Sequence, residues 1–184
     1  TIGRFYRGWG HFAFTTLGCL VTIGVAVSRV HDVLWHQWLT IPLTFLLANA
    51  VEYAGHKNAM HKPVPGLTLV FRRHTLQHHH FYTHDAMAAE SSRDFHMTLF
   101  PPVLLLFFLG AIAVPIGAAL FLFVSANAGW LFVANAMGYF LLYEWLHFSY
   151  HLHPESFVGR LWPVRVLRRH HTAHHDKALM GRWN

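Results

Sequence analysis

The stretch PPVLLLFFLGAIAVPIGAALFLFV, residues 101–124, runs for twenty-four positions without an ionisable side chain. At about 1.5 Å of rise per residue a helix of that length reaches about 36 Å, enough to cross a hydrocarbon core about 30 Å thick. Three further stretches, at about residues 12–29, 35–55 and 129–150, are also predominantly apolar and near the ~20 residues that a spanning helix needs. The whole 184-residue chain agrees: it is 54% hydrophobic, 16% aromatic and only 12% charged, with mean hydropathy +0.30. That is too apolar for an ordinary soluble domain. The expected fold is all-α and integral to the membrane, one domain over residues 1–184 with transmembrane helices at about 12–29, 35–55, 101–124 and 129–150. The first segment lacks a small-residue cleavage site and three like it follow, which argues against a signal peptide. Beginning at Thr1 and stopping abruptly at Asn184, the chain reads as a trimmed piece of a longer one.

Lys and Arg accumulate in cytoplasmic loops, and here they are one-sided. Arg4 and Arg7 precede the first segment, and Lys57, Lys62, Arg72, Arg73 and Arg93 lie between the second and third. Arg160, Arg165, Arg168, Arg169, Lys177 and Arg182 follow the fourth, which leaves only Arg29 for the other face. Both termini and the long middle loop are therefore expected in the cytoplasm. The net charge of +6 and pI near 9.9 then describe a rim against anionic headgroups, with no need of nucleic acid.

The second unusual stretch, FRRHTLQHHHFYTHD at 71–85, belongs to a set of histidines on that same side. His56 and His61 follow the second segment; His74, His78, His79, His80 and His84 lie in the loop; His147 and His151 end the fourth segment; His170, His171, His174 and His175 come after it. Residues three or four apart share a helical face. His147 and His151 form such a pair, and His171, His174 and His175 a triplet able to aim at one point. His74 and His78 are expected on one face, with His79 to the side and available to a second metal. His56 and His61, five apart, need a bent or broken helix end to converge.

So many rings crowded together would repel or desolvate one another on protonation, a cost that a metal removes. A closed zinc site takes four ligands, whereas about ten are offered here, enough for two metals with about five each. Imidazole suits zinc, copper, iron and nickel. The lone Cys19, inside the first segment, excludes multi-thiolate sites. The two halves echo each other: Glu52 precedes His56 by four residues and Glu144 precedes His147 by three, each followed by a basic stretch and a His-rich triplet. Two half-sites from two helical hairpins is the simplest reading. Glu52 and Glu144, the only acids in the membrane segments, are expected to accept a ring N–H and orient a ligand, or else to bond a neighbouring Tyr or Trp. A non-enzymatic metal transporter would instead want ligands along a path near the midplane.

The ordered run H-x-x-x-x-H (His56, His61), H-x-x-x-H-H (His74, His78, His79), H-x-x-x-H (His147, His151) and H-x-x-H-H (His171, His174, His175) resembles the fatty acid hydroxylase / sterol desaturase superfamily, closest to its fatty acid 2-hydroxylase and carotenoid hydroxylase branches. The resemblance covers about residues 52–175. The second box has three residues where those branches usually have two, so the ligand pair is His78/His79 or His79/His80. What the resemblance implies is a membrane non-haem di-iron oxygenase: two iron ions, with zinc substituting in purified protein, use O2 and external electrons to hydroxylate an unactivated C–H bond of a fatty acyl chain, sphingolipid, sterol or carotenoid. Desaturation by the same ligands is the alternative. It further implies a separate donor of ferredoxin or cytochrome b5 type, a multi-pass location in a bacterial inner membrane or endoplasmic reticulum with the site cytoplasmic, and headgroup contacts from Arg72, Arg73, Arg168 or Arg169.

The remaining polar residues have plainer readings. His31, Asp32 and His36 suit the opposite interface; His84 with Asp85, and Asp176, suit loop polarity or pairing with a ligand; His153 before Pro154 ends a helix. RLWPVRVLRRHH suits an interfacial helix, and Pro115 and Gly117 suit a kink in the third segment.

Overall fold

The computed structural model describes residues 2–180; Arg182, counted among the basic residues after the fourth segment, lies outside the described residues, as do the two terminal residues. Regular structure among the described residues is helical, with no strand and one isolated bridge between Thr83 and Ala86. Helix α1 is Gly8–Val27 and α2 is Thr40–Gly55, preceded by a 3-10 turn at Trp35–Leu39 and prolonged by a wide i→i+5 turn at His56–Met60. Helix α3 starts as Thr68–Phe71, widens over Arg72–His78 and closes with His79–Phe81. The short α4 is Phe95–Thr98. Helix α5 runs through Pro102–Phe107, a wide turn at Phe108–Ala113 and Val114–Phe123; α6 is Ala126–Tyr150 and α7 is Trp162–His174. Two stretches, Gly8–Val27 and Phe95–Phe123, are long and apolar enough to cross a membrane.

The chain forms two compact units. One comprises Gly10–Ala50 and Phe100–Tyr143 and is built of apolar helices. Its core is Cys19, Ala26, Leu105, Ala113, Phe132, Val133, Ala136, Met137 and Leu141. Around that core, large apolar side chains are exposed, among them Leu17, Val21, Leu43, Leu46, Leu106 and Leu122. A helix apolar on its exposed face as well as its buried one is what a lipid solvent selects. Gly117 and Gly129 let α5 and α6 meet backbone to backbone: a Cβ on Gly129 would stand 2.5 Å from the Gly117 oxygen. The wide turn at Phe108–Ala113 ends just before Pro115 and opens the helix where the proline ring would crowd the carbonyl of Ala111. His11, outside the histidine boxes, bonds the Phe100 carbonyl through Nε2 at 2.9 Å, ahead of two prolines. On the short connections, Asn127 accepts from the His31 N–H and donates to the His31 carbonyl and to Gln37, which in turn donates to Ser125.

The other unit comprises the first nine residues, Val51–Leu99 and the chain from Glu144 on. It holds every expected metal ligand. Arg93 donates to the carbonyls of Gly3 and Arg4, and Trp9 meets Phe95 edge to face at 4.9 Å, so the N-terminal segment is tied to α4. Val164 and His174 are the buried residues of α7, while Trp162 and Leu167 are exposed.

Candidate metal centre

Four short pieces of helix bring the histidines together. On a regular α-helix His56 and His61 would point about 140° apart, but a turn closed by i→i+5 bonds holds about 4.4 residues and returns the fifth residue near the same face. The turn at His56–Met60 does this. The same widening at Arg72–His78 bears on the second box: the rings of His74 and His78 lie stacked at 5.3 Å, as neighbours on one face, yet His74 Nε2 meets His79 Nε2 at 3.1 Å while His78 contributes to the other cluster. Sharing a face, as regular spacing leads one to expect, therefore does not mean sharing an ion. In α7 the triplet likewise divides, His171 and His175 one way and His174 the other.

Two clusters result. In the first, donor atoms of His56, His61, His74 and His174 lie within 4.8 Å of one another. His56 Nε2 is 2.8 Å from His74 Nε2, His61 Nε2 is 3.1 Å from His174 Nε2 and 3.2 Å from His74 Nε2, and His79 joins with its Nε2 3.1 Å from His74 Nε2. In the second, His78, His151, His171 and His175 lie within 4.8 Å of one another. Their Nε2 separations are 3.1 Å for His78–His175, 2.9 Å for His151–His171 and 3.1 Å for His171–His175, and His147 Nε2 is 3.2 Å from His78 Nε2. Each cluster therefore gathers five rings, four from one half of the chain and one from the other. His78 crosses to the second cluster and His174 to the first, where the internal echo suggests one undivided half-site per hairpin.

These separations fit ligands of a common ion. Two nitrogens each about 2.1 Å from a metal stand about 3.0 Å apart at a right angle and about 3.4 Å apart at the tetrahedral angle. The opposite nitrogens supply the stronger test. His78, His151 and His175 direct Nδ1 at the carbonyl oxygens of Met97, Met87 and Tyr82, at 2.9, 2.8 and 2.7 Å. A carbonyl only accepts, so Nδ1 carries the hydrogen and Nε2 of the neutral ring presents a lone pair. His78 Nε2 and His175 Nε2 then face each other lone pair to lone pair at 3.1 Å. A shared proton would relieve this, but burial first and neighbouring histidines second hold His78 and His151 well below the ordinary imidazole range. Burial likewise lowers His175 to about 4, and His61 in the first cluster to about 4. The same causes push His56, His74, His79 and His171 down. A positive centre that is not a proton is what the donor set accommodates, and the two groups can each hold a metal ion.

The supporting residues divide into those the sequence singled out and those it hid. Glu52 Oε1 lies 3.6 Å from His56 Nδ1, near the ligand but beyond hydrogen-bond length. Glu144 is 3% exposed, one turn before His147. His80 is exposed, its Nδ1 3.0 Å from the Thr75 carbonyl, and neither cluster includes it; one position past His79 the helix has turned it away. Two of the four expected headgroup arginines are committed internally. Arg73 bonds Gln77 and both the ring and the carbonyl of His96. Arg168 donates through one Nη to the carbonyls of Ser149 and Leu152, at 3.0 and 2.6 Å, bracketing His151. Arg72 and Arg169 remain exposed. His84 pairs with Asp85 at 3.2 Å on the surface, and Asp176 caps the Ala178 N–H.

Sequence reading missed the backbone acceptors, which no side chain advertises. It also passed over Tyr82 and Thr75. Tyr82 is 1% exposed, its ring 4.1 Å from that of His151, its carbonyl on His175 and its hydroxyl between Thr98 and Asp94. Thr75 Oγ1 donates to the Met60 carbonyl at 2.6 Å and accepts from His61 Nδ1 at 3.3 Å. Both sit inside or directly after the second box, and a polar side chain there was the available signal.

Comparison of the chain with protein-family models, with curated proteins and with solved structures finds no match.

Proposed function

We propose that this chain is a membrane-integral two-metal oxygenase that hydroxylates an unactivated C–H bond of a lipid, of the kind its histidine boxes resemble. The observation that carries the reading is the pair of buried four-histidine groups, each joined by a fifth ring, with three rings of the second held by backbone carbonyls. His56, His61, His74, His79 and His174 would hold one iron and His78, His147, His151, His171 and His175 the other. Iron bound there supplies reductive activation of O2 for insertion of oxygen into a C–H bond.

The chain's own residues account for the rest. Carbonyls of Met87, Met97 and Tyr82 hold the tautomers and ring planes of three ligands, which keeps the donor atoms pointed inward without a substrate present. Burial of the rings keeps bulk water from the ions. Glu52, its Oε1 3.6 Å from His56 Nδ1, and the buried Glu144, one turn before His147, are the acids that stand beside the ligand sets. A lipid is the substrate this reading implies, and Arg72 and Arg169, both exposed, are the arginines available to its headgroup. The four apolar segments span the membrane, with both termini and the boxes cytoplasmic, and a separate ferredoxin-like or cytochrome b5-like protein delivers electrons. A desaturase would use the same ligands.

The test is elemental analysis of the full chain from iron-supplemented cells, with lipid extraction beside a His171→Ala, His174→Ala control. Two metals per chain and an oxygenated lipid absent from the control are expected. One metal or none with unchanged lipids refutes the reading; a new double bond in place of oxygen selects the desaturase.

A further inference from the structure

Ten histidines reach the two clusters, and their remaining ring nitrogens are not treated alike. Nδ1 of His78, His151 and His175 meets a carbonyl, His147 is hydrogen bonded to the backbone of Thr98, Nδ1 of His61 meets Thr75 Oγ1, and that of His56 faces Glu52. Nδ1 of His79 differs from these: it is buried, and neither a hydrogen-bond partner nor a facing carboxylate, such as the one 3.6 Å from His56, meets it among the described residues. Its ring is instead stacked on His175 of the other cluster, at 4.2 Å between centroids.

A partner on the second nitrogen fixes a ligand's ring and raises its basicity, and removing such a partner costs about 10–100-fold in metal affinity. A ring without one is held by its metal bond and by stacking alone. Stacking leaves it free to slide in its own plane, away from the ion, whereas a hydrogen bond to a fixed carbonyl does not. A buried nitrogen without a partner also gains when the ring shifts far enough to meet one.

We propose that His79 is the exchangeable ligand of the first cluster, and that the position it vacates is where a small exogenous ligand, an anion such as azide or the diatomic co-substrate, binds metal. This rests on the two-metal reading and adds to it which of the two ions opens. The second cluster, with three rings pinned to carbonyls, stays closed and serves as the fixed member of the pair.

The experiment uses the full chain in detergent loaded with cobalt(II), whose absorption reports coordination number, and compares His79→Ala and the volume-keeping His79→Gln with His61→Ala, which removes a hydrogen-bonded ligand from the same cluster. Wild type and both His79 variants are expected to hold two metals per chain with similar affinity, while His61→Ala holds one of the two roughly 10²–10³-fold more weakly. Azide should bind the His79 variants at least about 10-fold more tightly than wild type, and added imidazole should reverse this by refilling the position. Loss of a metal from both His79 variants, failure of both to fold, or azide affinity equal to that of wild type overturns the assignment. A wild-type chain that takes up no cobalt refutes the two-metal reading itself, a separate outcome.

Discussion

His171 and His174 stand three residues apart on one helix and in one box, yet they serve different clusters, so substituting each to alanine should weaken a different metal. The magnitude follows from ligand number. Structural zinc sites with four ligands bind with about 10–16 kcal/mol, or about 2.5–4 kcal/mol per ligand. At about 1.4 kcal/mol per decade, loss of one ligand corresponds to roughly 10²–10³ in affinity. The assay is release of metal from loaded protein against a graded chelator. Each single variant should show one metal released as in wild type and one released at roughly 10²–10³-fold lower chelator strength. Pairing with His78→Ala then separates the crossed arrangement from an uncrossed one. The double variant with His171→Ala strikes one cluster twice and leaves the other metal untouched; the double with His174→Ala weakens both. If His78→Ala with His171→Ala weakens both metals, the crossing of ligands is wrong.

Three further outcomes are expected. Arg168→Ala removes two charge-assisted hydrogen bonds to the carbonyls flanking His151 and should weaken the second metal about 10–100-fold, with Arg168→Lys recovering part of the loss and Arg160→Gln, which breaks an exposed pair with Glu155, changing nothing; equal chelator curves for Arg168→Ala and wild type refute this. The metal-free chain should lose stability as pH falls from about 6.5 toward about 4, because His61 and His175 bind protons less readily when folded than when unfolded, so the unfolded state gains as acid is added; thermal melts of chelated protein across that window check it, and a flat profile counts against the buried neutral rings. Gly129→Ala forces a Cβ onto backbone atoms of Gly117 and Phe121 and should cost about 1–3 kcal/mol, a drop in Tm of roughly 2–12 °C in detergent.

The apolar helices were legible because their signal is local: a long run without charge needs no partner to be recognised, and α5 and α6 lie where residues 101–124 and 129–150 had promised helices. That the histidines gather was legible for a similar reason, since His56 and His61, five apart, and His147 and His151, four apart, stand at spacings that a helix end can close. What a helical wheel could not reveal was the assignment of ligands to ions. The sorting of His74 and His79 apart from His78 depends on wide turns, which are set by how the helix meets its neighbours and leave no mark in composition. The arginines show the same limit. Arg168 and Arg169 are adjacent and chemically identical in sequence, and only packing decides that one clamps a helix end while the other faces outward.

The reciprocal crossing of His78 and His174 has a consequence for how the protein matures. During synthesis the first two boxes emerge well before the last, and at that stage the first cluster lacks His174 while His78 waits for a cluster that does not yet exist. A nascent or prematurely terminated chain thus has no complete set of donors for either ion, whatever its early helices have already formed. The two groups of donors are thus interdependent: neither is complete until the helix that carries His171 and His174 has packed against the earlier boxes.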